Sequence, residues 1–132
     1  MRDMEGFYKA RRRDGGGWIE GYFLIREPDS KPYISPDGVK IFEVDPSTLC
    51  RYTDMRDRKE TPVYENDIIN IPGRGNRLVE WSEENLSWMF SKNPYDDYDD
   101  YFSEISRRNV TVIGNLFEHG GLLEEPGESW DD

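Results

Sequence analysis

Residues 49–71 read LCRYTDMRDRKETPVYENDIINI, two apolar runs held apart by a charged hinge. No other stretch constrains the chain as much. Its second half, from Tyr64 through Asn66 and Asp67 to Ile69, reads as a tight turn entering a strand. Asn66 suits that turn because asparagine tolerates the left-handed backbone. Pro72-Gly73 then stops the strand, which sets it at residues 67–71. Residues 54–61 are charged and are expected to be exposed. A second segment of strand character, VTVIGNLFE at 110–118, lies near the C-terminus. The two segments are expected to frame the fold.

The rest of the chain repeats this grammar of short runs and turn signals. FYKARRR at 7–13 meets Asp14-Gly15-Gly16-Gly17, where glycine supplies positive φ without steric cost. WIEGYFLIR at 18–26 follows at once, so a hairpin is predicted, with Gly21 marking a bulge. Residues 27–38 carry Pro28, Pro32 and Pro36 and read as a loop. A short strand is predicted at 40–44, an extended segment at 48–53, and a hairpin from 78–81 to 86–90. Tyr98, Tyr101, Phe102 and Ile105 fall at helical spacing, which predicts one short helix near residues 95–108. Acids at its start and Arg107-Arg108 at its end suit the helix dipole. Gly120-Gly121 reads as the break after the last strand.

The fold class is therefore mainly β: a small mixed β-barrel or curled sheet of about seven short strands, with one helix. One domain over residues 1–123 and an acidic, flexible tail at 124–132 are expected.

Composition limits the function. Four Trp, eight Tyr and six Phe argue for an ordered core although 34% of residues are charged. The net charge of −11 resides wholly in residues 61–132, since residues 1–60 carry 12 basic and 12 acidic side chains. Such a chain is repelled by phosphate backbones at long range, which disfavours general nucleic-acid binding. The lone Cys50 excludes an internal disulfide or a thiolate zinc site. No secretory leader or membrane-length apolar run is visible, so a cytoplasmic setting is expected.

Four pieces together resemble the YopX-like family of small proteins, found mostly in phages and prophages. FYKARRRDGGGWIEGYFL at 7–24 is similar to the family's basic strand, glycine turn and W-x-E-G-Y, and FEVDP stands at 42–46. Residues 51–69 are similar to Q-Y-T-G-L-x-D-x-x-G-x-x-I-Y-E-G-D-I-V, and residues 112–123 to V-I-G-N-I-Y-E-N-P-E-L-L. Three glycines of the pattern are replaced, by Asp54, Glu60 and Asn66. Loss of glycine at 54 and 60 predicts a different path for the hinge, and Gly120-Gly121 in place of Pro-Glu predicts a looser C-terminal exit. The resemblance implies a largely β barrel and phage origin; it carries over no catalytic residues.

The candidate chemistry is sparse. Asp96, Asp97, Tyr98, Asp99, Asp100 and Tyr101 form an acidic, tyrosine-bearing segment. It reads as a solvated helix start, as an interaction surface or, less well, as a cation site without the glycine of a calcium loop. Arg11 and Arg13 share a strand face by alternation and are candidates for phosphate contact; an ion-paired sheet face is the plainer reading. His119 lacks a second His or Cys for a metal set, and Cys50 has no cue for a lowered pKa. The glycine-rich segment at 72–77 lacks the Lys-Ser/Thr end of a P-loop.

No cofactor, metal or catalytic set is indicated. The leading expectation is a non-enzymatic module that binds a host or phage protein through the acids and tyrosines of its second half. Two alternatives stand beside it: an acidic nucleic-acid mimic that inhibits a DNA-binding protein, and a β-barrel that binds single-stranded nucleic acid on stacking rings. Exposed strand edges also make a homo-oligomer an open expectation.

Overall fold

A computed structural model describes residues 7–73, 75–84, 86–91, 100–101 and 110–123; at 91, 100 and 101 it describes the backbone alone. Strand accounts for 57% of these residues, so the mainly β expectation holds. The strands are β1 (Phe7–Arg11), β2 (Trp18–Arg26), β3 (Lys31–Ser35), β4 (Phe42–Glu43), β5 (Cys50–Arg56), β6 (Pro62–Tyr64), β7 (Asp67–Ile71), β8 (Gly75–Ser82), β9 (Ser87–Ser91), β10 (Asp100–Tyr101) and β11 (Thr111–Asn115). Among the described residues one short helix, α1, spans Leu116–His119. The strand orders are β4-β3-β2-β1-β5-β6 and β10-β9-β8-β7-β11. The chain divides into two compact units, residues 1–54 and 55–132.

In the first unit the predicted hairpin forms. Phe7 pairs with Tyr22 and Arg11 with Trp18, and the Arg12 N–H donates to the Gly17 carbonyl at 2.8 Å. Gly15 and Gly17 take φ of 83° and 90°, which explains their use in this turn. Alternation sends Tyr8 and Ala10, with Ile19 and Phe23, to one face, where they pack with Ile34, Val44 and Leu49. Gly21 marks no bulge, because the pairing is continuous through it. It marks a close approach instead: a Cβ there would overlap the Ser35 carbonyl.

Residues 27–38 are not one loop. β3 forms within them, with Pro32 opposite Ile25. The Pro32 carbonyl accepts from the Val44 N–H at 3.1 Å, so its backbone polar groups point away from β2. A missing N–H on that side removes no bond from the β2–β3 ladder, and proline is tolerated. The strand predicted at 40–44 shortens to Phe42–Glu43, with Val44 bridged to Arg12.

The second unit packs Val63, Ile69, Ile71, Val79, Phe90 and Val110 into its core, with Met55, Trp88 and Val112 against them. Leu78 pairs with Ser91 and Ser82 with Ser87, forming the predicted hairpin, and Trp81 meets Trp88 edge-on at 5.2 Å. The helix expected near 95–108 is corrected where the chain is described. Asp100 and Tyr101 are strand, paired with Phe90 and Met89. Backbone bonds to β9 override the helical spacing of the side chains, and the rest of that segment lies outside the described residues, as does the tail at 124–132. Among the described residues the α-helix is α1, within the segment read as strand to residue 118. Its cap is Asn115, whose side chain accepts from the Glu118 N–H at 3.0 Å. Gly120 continues helically at φ −55° into a 3-10 turn, Gly120–Leu123, and Asn76 donates to the Leu122 carbonyl at 3.1 Å. The C-terminal exit is therefore tied to β8.

The hinge at 54–61 is the larger correction, because it is not wholly exposed. Asp57 is 1% exposed. One carboxylate oxygen accepts from the N–H groups of Lys59 and Thr61 at 2.8 and 2.9 Å. The other accepts from the Val112 N–H at 2.8 Å. The Arg58 N–H donates to the Val110 carbonyl at 3.0 Å. Burial opposes the charge on Asp57, but these three N–H donors, helped by Lys59, outweigh it and hold the carboxyl below its ordinary pKa. Asp54, Glu60 and Asn66 take φ of 70°, 67° and 70°. Each of the three residues that stand in place of a glycine of the pattern therefore takes a left-handed backbone.

Candidate functional site

The turn at 64–67 is built into the second unit. The Tyr64 N–H donates to the Asp67 carboxylate at 2.8 Å, and both residues are 1% exposed. The Asn66 N–H donates to the Val79 carbonyl, and the Asn66 carbonyl accepts from the Leu116 N–H, each at 2.8 Å. These three residues hold β7, β8 and α1 in register, which is a framework role.

His119 is also committed to the framework. Its Nδ1 accepts from the Asn115 N–H at 3.1 Å, which places the ring proton of the neutral form on Nε2. A Cβ on Gly114 would lie 2.6 Å from that Nδ1. Cys50 is fully buried and its Sγ donates to the Thr48 carbonyl at 3.3 Å. Of the acidic segment, Asp96, Asp97, Tyr98 and Asp99 lie outside the described residues, and Asp100 and Tyr101 are described as backbone only.

Arg11 and Arg13 do not share a strand face, because β1 ends at Arg11 and Arg13 lies in the turn. The Arg13 Nε is 3.7 Å from a Glu43 carboxylate oxygen. Arg12 stacks over the Phe42 ring at 4.4 Å and donates to Asp14 at 2.6 Å. That bond, with the Gly16 N–H, holds the Asp14 carboxyl below its ordinary pKa. Asp45 is lowered by the Ser47 hydroxyl and N–H, with Arg13 and Arg11 adding attraction. An open recess of about 390 Å³ lies here, lined by Arg13, Asp14, Ile41, Phe42 and Glu43. Its one cation, Arg13, stands with two carboxylates, Asp14 and Glu43, so it presents no single sign of charge.

A different surface emerges on the face of β1, β2 and β3 opposite the first core. Register and alternation place Phe7, Lys9 and Arg11 there, opposite Tyr22, Glu20 and Trp18. Farther along, Leu24 faces Tyr33 and Arg26 faces Lys31. Lys9 Nζ and the Arg11 guanidinium lie 5.2 and 5.5 Å from the centroid of the Trp18 ring. Arg26 lies 5.8 Å from that of Tyr33, and Phe7 meets Tyr22 edge-on at 4.8 Å. Tyr22 is 44% exposed, and Glu20, Arg26 and Lys31 are exposed. Four cations thus stand among four rings, with Glu20 the one carboxylate on these strands' outer face. Sequence reasoning passed over this face, although the period-2 pattern of residues 18–26 already aligned Trp18, Tyr22 and Arg26. Partnering each ring with its cation required the register of β1 and β3.

The family model described as YopX protein matches residues 24–124. The match contains β3 to β11 and begins within β2, so it leaves β1 and the glycine turn ahead of it. No curated protein matches the chain.

Proposed function

The chain belongs to the YopX protein family, and we propose that it is a non-enzymatic binding module. On this reading it is a phage-type accessory protein that engages another macromolecule through the outer face of β1, β2 and β3. The observation that supports it most is the half-exposed Tyr22, set beside Phe7 and flanked along β2 by the exposed Glu20 and Arg26. Aromatic rings and arginines supply most of the affinity at contact surfaces, because they bury wide areas and keep a polar tip.

The test is affinity capture from infected host cells with the natural chain and with Tyr22→Ser/Arg26→Ser. Both side chains point outward from the strand, so the variant should fold. A set of captured molecules retained by the natural chain and lost by the variant is expected. An identical set from both would show that this face is not the contact surface.

A further inference from the structure

We infer that the outer face of β1, β2 and β3 takes single-stranded nucleic acid. The inference rests on the binding-module reading and gives the ligand of that face its chemistry. A ring with an adjoining cation occurs twice on the face: Trp18 with Lys9 and Arg11 at 5.2 and 5.5 Å, and Tyr33 with Arg26 at 5.8 Å. The Phe7–Tyr22 pair occupies the strip between them.

Same-face residues on a strand stand about 6.6 Å apart, so β2 carries this strip over roughly 26 Å from Trp18 to Arg26. A single nucleic-acid strand repeats a planar base and a negative phosphate, which is the complement of a repeated ring and cation. A duplex keeps its base faces stacked inside. An acidic peptide supplies charge but no flat surface at each repeat.

The chain's net charge of −11 opposes this at long range. At physiological ionic strength charges are screened over about 8 Å, so a ligand on the face meets the exposed Arg26 and Lys31 at close range. Long-range repulsion lowers general affinity for duplex DNA while leaving a short contact on the strip.

The experiment is fluorescence anisotropy of a labelled oligo-dT with the full chain, titrated across salt concentrations. Two phosphates neutralised by Arg26 and Lys31 give a slope of log K against log salt of about −1.4. Arg26→Gln/Lys31→Gln, at two exposed positions, should reduce that slope by about 1.4 and weaken binding roughly tenfold or more at low salt. Trp18→Leu should weaken binding by about fivefold or more with the slope unchanged, with circular dichroism confirming the fold.

No anisotropy change at low salt, or a slope that the double variant leaves in place, overturns the inference. An oligoglutamate peptide of the same charge that binds as tightly as oligo-dT also overturns it, in favour of an acidic protein partner. If oligo-dT fails while capture from cells still depends on Tyr22 and Arg26, the binding module stands and its nucleic-acid ligand falls. If both fail, both readings fall.

Discussion

Replacing Asp57 tests how the hinge is held. Its carboxylate accepts three backbone N–H groups at 2.8, 2.9 and 2.8 Å. Lys59 and Thr61 belong to exposed residues, so their amides recover water when the acceptor is lost, at about 0.5–1.5 kcal/mol each. Val112 is half-buried and its amide is stranded, at about 1–3 kcal/mol. Asp57→Ala should therefore destabilise the protein by about 2–6 kcal/mol. In Asp57→Asn the amide oxygen can keep the Lys59 and Thr61 bonds while its NH₂ meets the Val112 donor, so a smaller loss of about 1.5–3 kcal/mol is expected.

The sign of the pH dependence follows from the lowered pKa of Asp57. The unfolded chain takes up the proton first, near the ordinary value of about 3.9. The carboxylate's contribution is therefore complete above that value and is lost as pH falls through the lower folded value. Urea unfolding, followed by tryptophan fluorescence from neutral pH down to about pH 3, measures it. The gap between the natural chain and Asp57→Asn should hold steady at neutral pH and narrow in acid. An equally stable Asp57→Ala, or a gap that stays constant in acid, would refute the reasoning.

Two further predictions concern the backbone. Glu60 sits at φ 67° and Asn66 at φ 70°, but only asparagine tolerates that region well. Relief of about 1–2 kcal/mol, less the entropy cost of glycine of about 0.5–1, leaves Glu60→Gly stabilising by roughly 0.5–1 kcal/mol and Asn66→Gly near neutral; equal shifts in urea midpoint would contradict this. Gly114→Ala should cost about 1–3 kcal/mol, because its Cβ meets the His119 ring. Much of that cost should vanish in a His119→Ala background, and additive losses in the double-mutant cycle would show that the two residues do not meet.

Much of the fold was legible where a local signal and the tertiary structure agree. The glycine run located the β1–β2 turn, and Pro72-Gly73 located the end of β7. β3 was hidden because proline argues against a strand until one knows which side its absent N–H faces. α1 was hidden because four residues hold no period; its signal was the cap at Asn115. Asp57 read as one more hinge charge because a partner that buries it, Val112, is 55 residues away. The candidate face was half legible. Alternation sorted Trp18, Glu20, Tyr22 and Arg26 to one side, but only pairing with β1 and β3 brought Lys9, Arg11 and Tyr33 beside them.

The hinge bonds have one more consequence. β11 ends its strand order, so its outward N–H and C=O groups are a template on which a foreign strand can grow. The Asp57 carboxylate occupies the Val112 donor, and the Arg58 amide occupies the Val110 acceptor. The charged hinge is thus a sheath over a sticky border, drawn from the same chain. Any substitution that loosens it uncovers that border, with Ile113 and Leu116 already 39% exposed nearby. Hinge variants should therefore aggregate sooner than core variants of equal stability.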